Sequence, residues 1–140
     1  MLDIGATNIE IVTRATEAFQ RGDGDAAFEH FHEEPEWVIA REHPEARTLL
    51  GRVAIVAYLR DWEATLDDMR IEVDRFVDAG SGVVGVGMVC GTGIGSGADL
   101  EVPIAFLYTL TDGRIVRVEE YLNPGEALAA VGLAEWPGSG

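Results

Sequence analysis

The sequence predicts one α+β domain in which a curved sheet, antiparallel or mixed, wraps over three N-terminal helices, with a short helix at the C-terminus. Two observations carry this prediction. Apolar residues in the first half follow helical spacing, whereas those in the second half alternate with polar residues in short runs between glycine-containing turns. Strands that follow a group of helices form a sheet covering those helices, and a pocket opens where the two layers diverge.

A glycine-containing break separates the first two predicted helices. Thr7 and Glu10 form a capping box, in which each side chain satisfies a free backbone N–H, for a helix over residues 7–20. After the break, Asp25 caps a shorter helix that continues to Phe31.

A short strand, a loop and a third helix are predicted next. The acidic, proline-containing run at 33–36 ends the second helix and leads into a strand at 37–40. Residues 41–50 contain a proline and several charges, which predicts a loop. Apolar positions at helical spacing then predict a third helix over residues 51–66.

The second half of the chain predicts four strands and a final helix. The strands fall at residues 71–77, 83–90, 102–110 and 114–122. A glycine-rich connection at 91–97 joins the second of them to the third, and Asp112-Gly113 is a strong hairpin-turn signal between the last two. Asn123, followed by a proline, is a suitable N-cap for the short terminal helix.

The composition excludes several classes of partner. There are 25 acidic residues against 10 basic ones, a formal net charge of −15. Phosphate backbones and anionic membranes are bound chiefly through Lys and Arg, so we expect neither nucleic acid nor a membrane as partner. No run reaches about 18 consecutive apolar residues and the N-terminus lacks signal-peptide features, which favours a cytoplasmic protein. Cys90 is the single cysteine, so no internal disulfide is expected.

Several residue runs, in this order of elements, resemble the SnoaL-like branch of the nuclear-transport-factor-2 superfamily. These runs lie at residues 18–23, 51–59, 112–117 and 120–128. The resemblance covers roughly residues 9–133 and implies a cone-shaped domain of the NTF2-like type. It is more specific for fold than for function, because this fold hosts isomerases, cyclases, epoxide hydrolases, dehydratases and non-catalytic modules.

The catalytic residues of two related enzyme classes are absent. Steroid isomerases bind the oxyanion with a Tyr and a protonated Asp, and these positions fall on Ala15 and Ala105. The Arg-x-Asp pair of limonene-type epoxide hydrolases falls on Val86 and Met88. The remaining acid of those hydrolases, an Asp just before an aromatic residue on the last strand, has a counterpart in Glu120, which precedes Tyr121. Polyketide cyclases of the SnoaL type need essentially one acid–base carboxylate in an apolar cavity, which matches what remains.

Glu120 is the first candidate catalytic residue. Side chains alternate along a strand, so one face of the last strand carries Val116, Val118, Glu120 and Leu122, and the other carries Ile115, Arg117, Glu119 and Tyr121. A carboxylate among Val and Leu is desolvated, which raises its pKa and suits it to proton transfer near neutral pH. The alternative is that Glu120 sits at an open rim or pairs with a buried Arg.

Glu42 and His43 are the second candidates. Counted back from Gly51, Glu42 falls where the isomerases carry their general base, although counting forward from Gly22 gives Ile39 instead. A carboxylate beside an imidazole could relay protons. Two polar residues before a proline are equally typical of an exposed loop.

An apolar ligand pocket would be lined by side chains from several elements. We expect these to be Trp37, Tyr58, Trp62, Met88, Ala105, Phe106 and Tyr108. Aromatics at such spacing are also common in an ordinary core. His30 and His32, two apart on a helix, would point in different directions and make a poor metal pair, so no metal is expected. The glycines at 80–85 lead into a strand rather than a helix, so they bind no dinucleotide and no cofactor is expected.

Three functions remain open. The first is a cofactor-independent cyclase, isomerase or lyase acting on a small apolar carbonyl compound through Glu120. The second is a non-catalytic binder of a small hydrophobic ligand, and the third is a dimeric interaction module. Family members commonly dimerise through the outer sheet face, so the resemblance implies a homodimer. That face is expected to carry Phe106, Tyr108, Arg117, Glu119 and Tyr121.

Overall fold

The computed structural model describes residues 4–80 and 82–132, with side chains from residue 8 onward. Its helices are α1 (Ile4–Gln20), α2 (Gly24–Phe28), α3 (Arg52–Thr65) and α4 (Pro124–Ala130). Its strands are β1 (Phe31–Val38), β2 (Thr48–Leu50), β3 (Leu66–Asp78), β4 (Gly82–Gly93), β5 (Asp99–Thr111) and β6 (Arg114–Tyr121).

The six strands form one curved sheet in the order β2-β1-β6-β5-β4-β3. β1 and β6 run parallel, and every other neighbouring pair is antiparallel. The helices α1 and α3 contact the inner face of the sheet, whereas α4 packs on the opposite, outer face. The expected α+β class with a mixed sheet wrapped over helices is therefore confirmed.

The N-terminal caps differ from the prediction. α1 already begins at Ile4, so Thr7 and Glu10 lie inside the helix and do not form a capping box at its start. Asp23, not Asp25, caps α2, because its side chain accepts a hydrogen bond from the backbone N–H of Ala26 at 3.1 Å. Capping depends on where the backbone leaves the helical conformation, which the residue type alone does not specify.

β1 is twice as long as predicted, with 8 residues instead of the expected four. The acidic run around Pro35 lies within this strand and does not end a helix. The register between β1 and β6 shifts between Phe31 and Glu36, and this irregularity accommodates a proline, which lacks the N–H that a regular ladder needs. β2 also lies in the predicted loop, where it pairs with the edge of β1. Pairing with distant strands overrides the local loop signals in both cases.

Two apolar clusters lie on the two faces of the sheet. The inner cluster joins α1, α3 and the sheet, and its fully buried members include Val12, Ile55, Ile115 and Val118. The outer cluster packs beneath α4, through Val84, Leu107 and Ala127. Ile115 was predicted on the outer face. It turns inward because the register between β5 and β6 shifts next to it, which adds a residue and reverses the alternation.

Gly87 allows β3 to fold closely over β4. A Cβ atom at Gly87 would lie 1.8 Å from the carbonyl oxygen of Glu72 and 2.8 Å from the Cα of Val73. The register between β3 and β4 shifts at this same place, between Val73 and Arg75. Strands approach this closely only where a side chain is absent. The close approach brings β3 over the inner face, where its side chains form one wall of a cavity.

Candidate functional site

Glu120 is the one charged side chain that is buried among the described residues, with 8% of its surface exposed. Its carboxylate accepts three hydrogen bonds. The indole N–H of Trp37 donates to Oε2 at 2.7 Å, and the backbone N–H of Ala40 donates to Oε1 at 3.2 Å. The hydroxyl of Tyr58 lies 2.9 Å from Oε1 and 3.0 Å from Oε2. Glu120 thus lies inside the domain, and no basic residue pairs with it in the part of the chain that the structure describes.

Neighbouring elements bring these donors to the carboxylate. Trp37 belongs to β1, and its Cα partner on the parallel strand β6 is Val118, two residues before Glu120. Ala40 follows the end of β1. Tyr58 lies on the buried side of α3, which crosses the inner face of the sheet. A buried indole N–H and a buried phenol both need an acceptor, and Glu120 supplies it for both.

Two opposing effects act on the protonation of Glu120. Burial disfavours the charged form and is the larger effect, whereas the hydrogen bonds from Trp37, Ala40 and Tyr58 favour it. On balance, the pKa of Glu120 is raised above its ordinary value. Burial, and then the nearby Glu120 carboxylate, also raise the pKa of the Tyr58 hydroxyl, so Tyr58 remains a donor near neutral pH.

The raised pKa predicts that the stability difference between the wild-type protein and a Glu120→Gln variant depends on pH. A carboxyl with a higher pKa in the folded state binds more protons when folded. Its contribution to stability is therefore complete below the unfolded pKa and is lost as the pH rises through the folded pKa. The glutamine amide does not titrate, so the free energy of unfolding of the wild type minus that of the variant should fall as the pH rises above 4.5, the ordinary pKa. Urea denaturation across this range measures the difference, and a constant or rising difference would contradict the raised pKa.

His43 extends the cluster around Glu120, whereas Glu42 lies apart from it. The half-buried His43 ring lies 6.1 Å from the rings of both Tyr58 and Trp62, measured between centroids. Its Nδ1 accepts a hydrogen bond from the backbone N–H of Glu45 at 3.0 Å, so the proton of the neutral imidazole is on Nε2. Glu42 is exposed, and its carboxylate lies 3.5 Å from the guanidinium of Arg41.

A cavity of about 140 Å³ lies between the helices and the inner face of the sheet, lined by α1, α3, β1, β3 and β5. A smaller hollow of about 20 Å³ has Glu120 and Trp62 in its wall. The two spaces adjoin, because they share the wall residues Trp37, Leu59, Met69, Ile71 and Phe106. Most of their wall residues are apolar, but the wall of the larger space also includes Gln20, Glu63 and Arg70, and Glu120 belongs to the wall of the hollow.

Two of the predicted ligand-binding residues lie on the other side of the sheet. Ala105 belongs to the outer cluster beneath α4. Met88 pairs with Glu72 on β3 and with Pro103 on β5. Because Pro103 lies two residues from Ala105, and alternate residues of a strand share a face, Met88 also faces outward. Phe106 and Tyr108 line the cavity and do not lie on the outer face, where the expected dimer surface had placed them. Trp37 and Trp62 line the space as expected, whereas Tyr58 is not among the wall residues and instead donates its hydroxyl proton to the Glu120 carboxylate.

The part of the cavity wall that β3 forms was not among the predicted ligand-binding residues. Met69, Ile71 and Val73 alternate along this strand and all line the cavity. Their spacing of two was a usable signal, because alternate side chains share a face. However, polar residues alternate with them, and β3 is an edge strand, so the sequence did not indicate which of its faces points inward.

Two further properties of the described part of the chain bear on the site. Within residues 4–80 and 82–132, no helix is long and apolar enough to cross a membrane. Over the same residues, no three His, Cys, Asp or Glu side chains lie together in a way that could hold a metal ion.

Comparison with known proteins agrees with this architecture. The sequence pattern of the SnoaL-like domain matches residues 12–118 of the chain. No curated protein matches significantly. An NTF2-like protein from Burkholderia thailandensis is similar in structure, with a TM-score of 0.75 and 27% identity, over 87% of this chain and 94% of that one.

Two ligand-bound structures are also similar. TerC crystallised with polyporic acid has a TM-score of 0.74 and 23% identity, over 89% of this chain and 98% of its own. A protein of ketosteroid-isomerase-like fold from Catenulispora acidiphila, in complex with trimethylamine, has a TM-score of 0.69 and 24% identity, over 91% of this chain and 96% of its own. At these identities the likeness concerns the fold.

Proposed function

Because the chain belongs to the SnoaL-like domain family, we propose that it is a cofactor-independent enzyme, a cyclase, isomerase or lyase, that acts on a small apolar carbonyl compound. Glu120 is its acid–base residue. The observation that carries this proposal is a buried carboxylate with a raised pKa, bonded only to neutral donors, in the wall of a small, largely apolar hollow beside the larger cavity. Such a group exchanges protons near neutral pH more readily than an exposed carboxylate.

The proposed step is proton transfer at a carbon next to the carbonyl group. Glu120 removes the proton, the C–H electron pair moves into the enolate, and the protonated carboxyl returns the proton to the product. Trp37 and Tyr58 hold the carboxylate in place through its two oxygens. His43, which carries its proton on Nε2, is proposed to donate a hydrogen bond to the developing enolate oxygen. Glu42 has no part in this step.

Exchange of α-protons for deuterium tests this step without knowledge of the natural product. A cavity of about 150 Å³ binds benzene in another protein, so the larger space, with about 140 Å³, suits a small ring ketone such as cyclohexanone. We expect the wild-type protein to accelerate exchange in D₂O, measured by NMR, and the Glu120→Gln variant to lose this acceleration. Exchange at the buffer rate with wild type, or full acceleration by the variant, would contradict the proposal.

A non-catalytic ligand-binding function is the second candidate. It is favoured by the hydrogen bonds that already engage both oxygens of Glu120, and by the absence of Glu120 from the wall of the larger space. Under this alternative, cyclohexanone quenches the tryptophan fluorescence of wild type and Glu120→Gln alike, and neither protein accelerates exchange. Loss of exchange with retained binding in the variant would favour the enzyme.

A homodimer through the outer face of the sheet is proposed as the assembly. Arg117, Glu119 and Tyr121 form a polar network on that face, in which the Tyr121 hydroxyl donates to Glu119 at 3.0 Å and Arg117 lies 3.4 Å from the same carboxylate. Mixed aromatic and charged residues of this kind suit a two-fold interface. Sedimentation equilibrium tests this assembly, and a monomer at micromolar concentration would contradict it.

A further inference from the structure

Three exposed polar residues form the mouth of the larger space. Gln20, Glu63 and Arg70 belong to its wall, whereas most of the other wall residues are apolar and at least partly buried. None of the three belongs to the wall of the hollow that contains Glu120. The mouth and the Glu120 carboxylate therefore lie at different parts of the connected space, and the proposed proton transfer does not use the mouth.

The C-terminal ends of two helices lie at the mouth. Gln20 is the last residue of α1, and Glu63 lies in the last turn of α3. Thr16 and Leu59, one turn earlier on each helix, also line the space, so Gln20 and Glu63 lie on the sides of their helices that face it. The C-terminal end of a helix carries a partial negative charge, and the last turn of neither helix, as described, contains a basic residue. The backbone at the mouth therefore favours a positive charge.

The side chains of Glu63 and Gln20 favour the same kind of ligand. Within residues 4–80 and 82–132, no basic side chain forms an ion pair with Glu63. The amide nitrogen of Gln20 donates a hydrogen bond to the carbonyl oxygen of Ile71 at 2.8 Å, which leaves the amide oxygen of Gln20 as an acceptor. The two side chains thus offer a charged and a neutral acceptor to a ligand that donates hydrogen bonds.

The two arginines near the mouth do not reverse this preference. Because side chains alternate along β3, the side chain of Arg70 points away from the face on which Met69 and Ile71 line the space. Its guanidinium donates to the carboxylate of Glu72 at 2.8 Å, which balances its charge. Arg21 directly follows α1, but it is exposed and is not a wall residue.

We infer that the mouth binds the positively charged amino group of a ligand whose apolar ring occupies the larger space. Glu63 is the specificity-determining residue, supported by Gln20 and by the negative ends of α1 and α3. A cavity of about 150 Å³ binds benzene in another protein, so a space of about 140 Å³ accommodates one six-membered ring. The substrate class is therefore a small monocyclic carbonyl compound that also carries an ammonium group. Its carbonyl end rests on the proposed function, whereas the preference for a positive charge does not.

The test compares three ligands that share a cyclohexane ring and differ in the charge of the head group: cyclohexylmethylammonium, cyclohexylmethanol and cyclohexanecarboxylate. NMR titration of the isotope-labelled protein near neutral pH gives their dissociation constants. Wild type should bind the ammonium compound about five- to tenfold more tightly than the alcohol, and the carboxylate most weakly. In Glu63→Gln this preference should fall about two- to fivefold, while the Kd of the alcohol stays within about twofold. Glu101→Gln is the matched control, because it removes the same charge on the outward face of β5, which Glu101 shares with Pro103, and should keep the wild-type preference.

The outcomes separate the charge preference of the mouth from the proposed function. Equal affinity for the ammonium compound and the alcohol, tighter binding of the carboxylate, or no binding of any of the three would overturn the charge preference, even where Glu120→Gln abolishes exchange. An equal loss in Glu63→Gln and Glu101→Gln would also overturn it, because the attraction would then come from the net charge of the whole protein. If the preference depends on Glu63 while Glu120→Gln keeps full exchange, the charge preference stands and the proposed function fails.

Discussion

Replacing Glu120 by glutamine is expected to lower the protein-dependent rate of α-proton exchange by about 10²- to 10⁴-fold, the usual contribution of a positioned acid–base group. Glutamine has nearly the same volume, and its amide oxygen can accept the hydrogen bond from Trp37. The amide cannot take up the proton, so the chemistry is lost while the ligand still fits. NMR measurement of exchange in cyclohexanone gives the ratio of the two rates.

The neighbouring carboxylate supplies the control for this substitution. Glu119→Gln makes the same chemical change on the outer face, where Glu119 contacts Arg117 and Tyr121, and should leave exchange unchanged. In the Glu120→Gln variant, the amide nitrogen would face the backbone N–H of Ala40, which then lacks an acceptor. This substitution should therefore lower the free energy of unfolding by about 1 kcal/mol. Both variants are therefore checked for a cooperative unfolding transition. Equal loss of exchange in the two variants would refute a specific role for Glu120.

Replacing Gly87 by alanine is expected to lower the free energy of unfolding by about 3 kcal/mol. The added Cβ would overlap the backbone of Glu72 and Val73, and backbone atoms cannot turn aside as a flexible side chain can. β3 would have to move away from β4, which weakens their hydrogen bonds and opens the cavity wall formed by Met69 and Ile71. Urea denaturation measures the loss, and weaker binding of cyclohexanone should accompany it.

Gly24 offers a matched control for that substitution. It begins α2, and a Cβ added there would meet nothing within 4 Å. Alanine also has the higher helix propensity, so Gly24→Ala should leave stability unchanged or raise it by up to about 1 kcal/mol. If Gly87→Ala proves as stable as Gly24→Ala, the close approach of β3 and β4 does not require a glycine at position 87.

Local signals in the sequence were sufficient for the elements that form through near neighbours. α3 was predicted within one residue at each end, because a continuous helical period marks it. The turn at Asp112 and Gly113 and the N-cap at Asn123 appear as predicted, and Asn123 accepts from the N–H of Gly125 at 2.9 Å. Alternation along β6 also placed Glu120 on one face with Val118 and left open whether that face lies inside, and the structure shows that it does.

Contacts between distant parts of the chain decided the rest. The full length of β1 and the whole of β2 depend on pairing with neighbouring strands, which the residues of β1 and β2 do not by themselves indicate. A register shift also turns Ile115 inward, against the expected alternation. A strand presents two faces, and only the packing of the helices decides which of them is inner; Met88 lies outside and Met69 inside for that reason. The donors to Glu120 illustrate the same limit, since Trp37 and Tyr58 lie 83 and 62 residues away in sequence. The sequence by itself determined the class of fold and identified Glu120 as the candidate carboxylate. Only the tertiary structure decided which groups surround that carboxylate, because they come from distant parts of the chain.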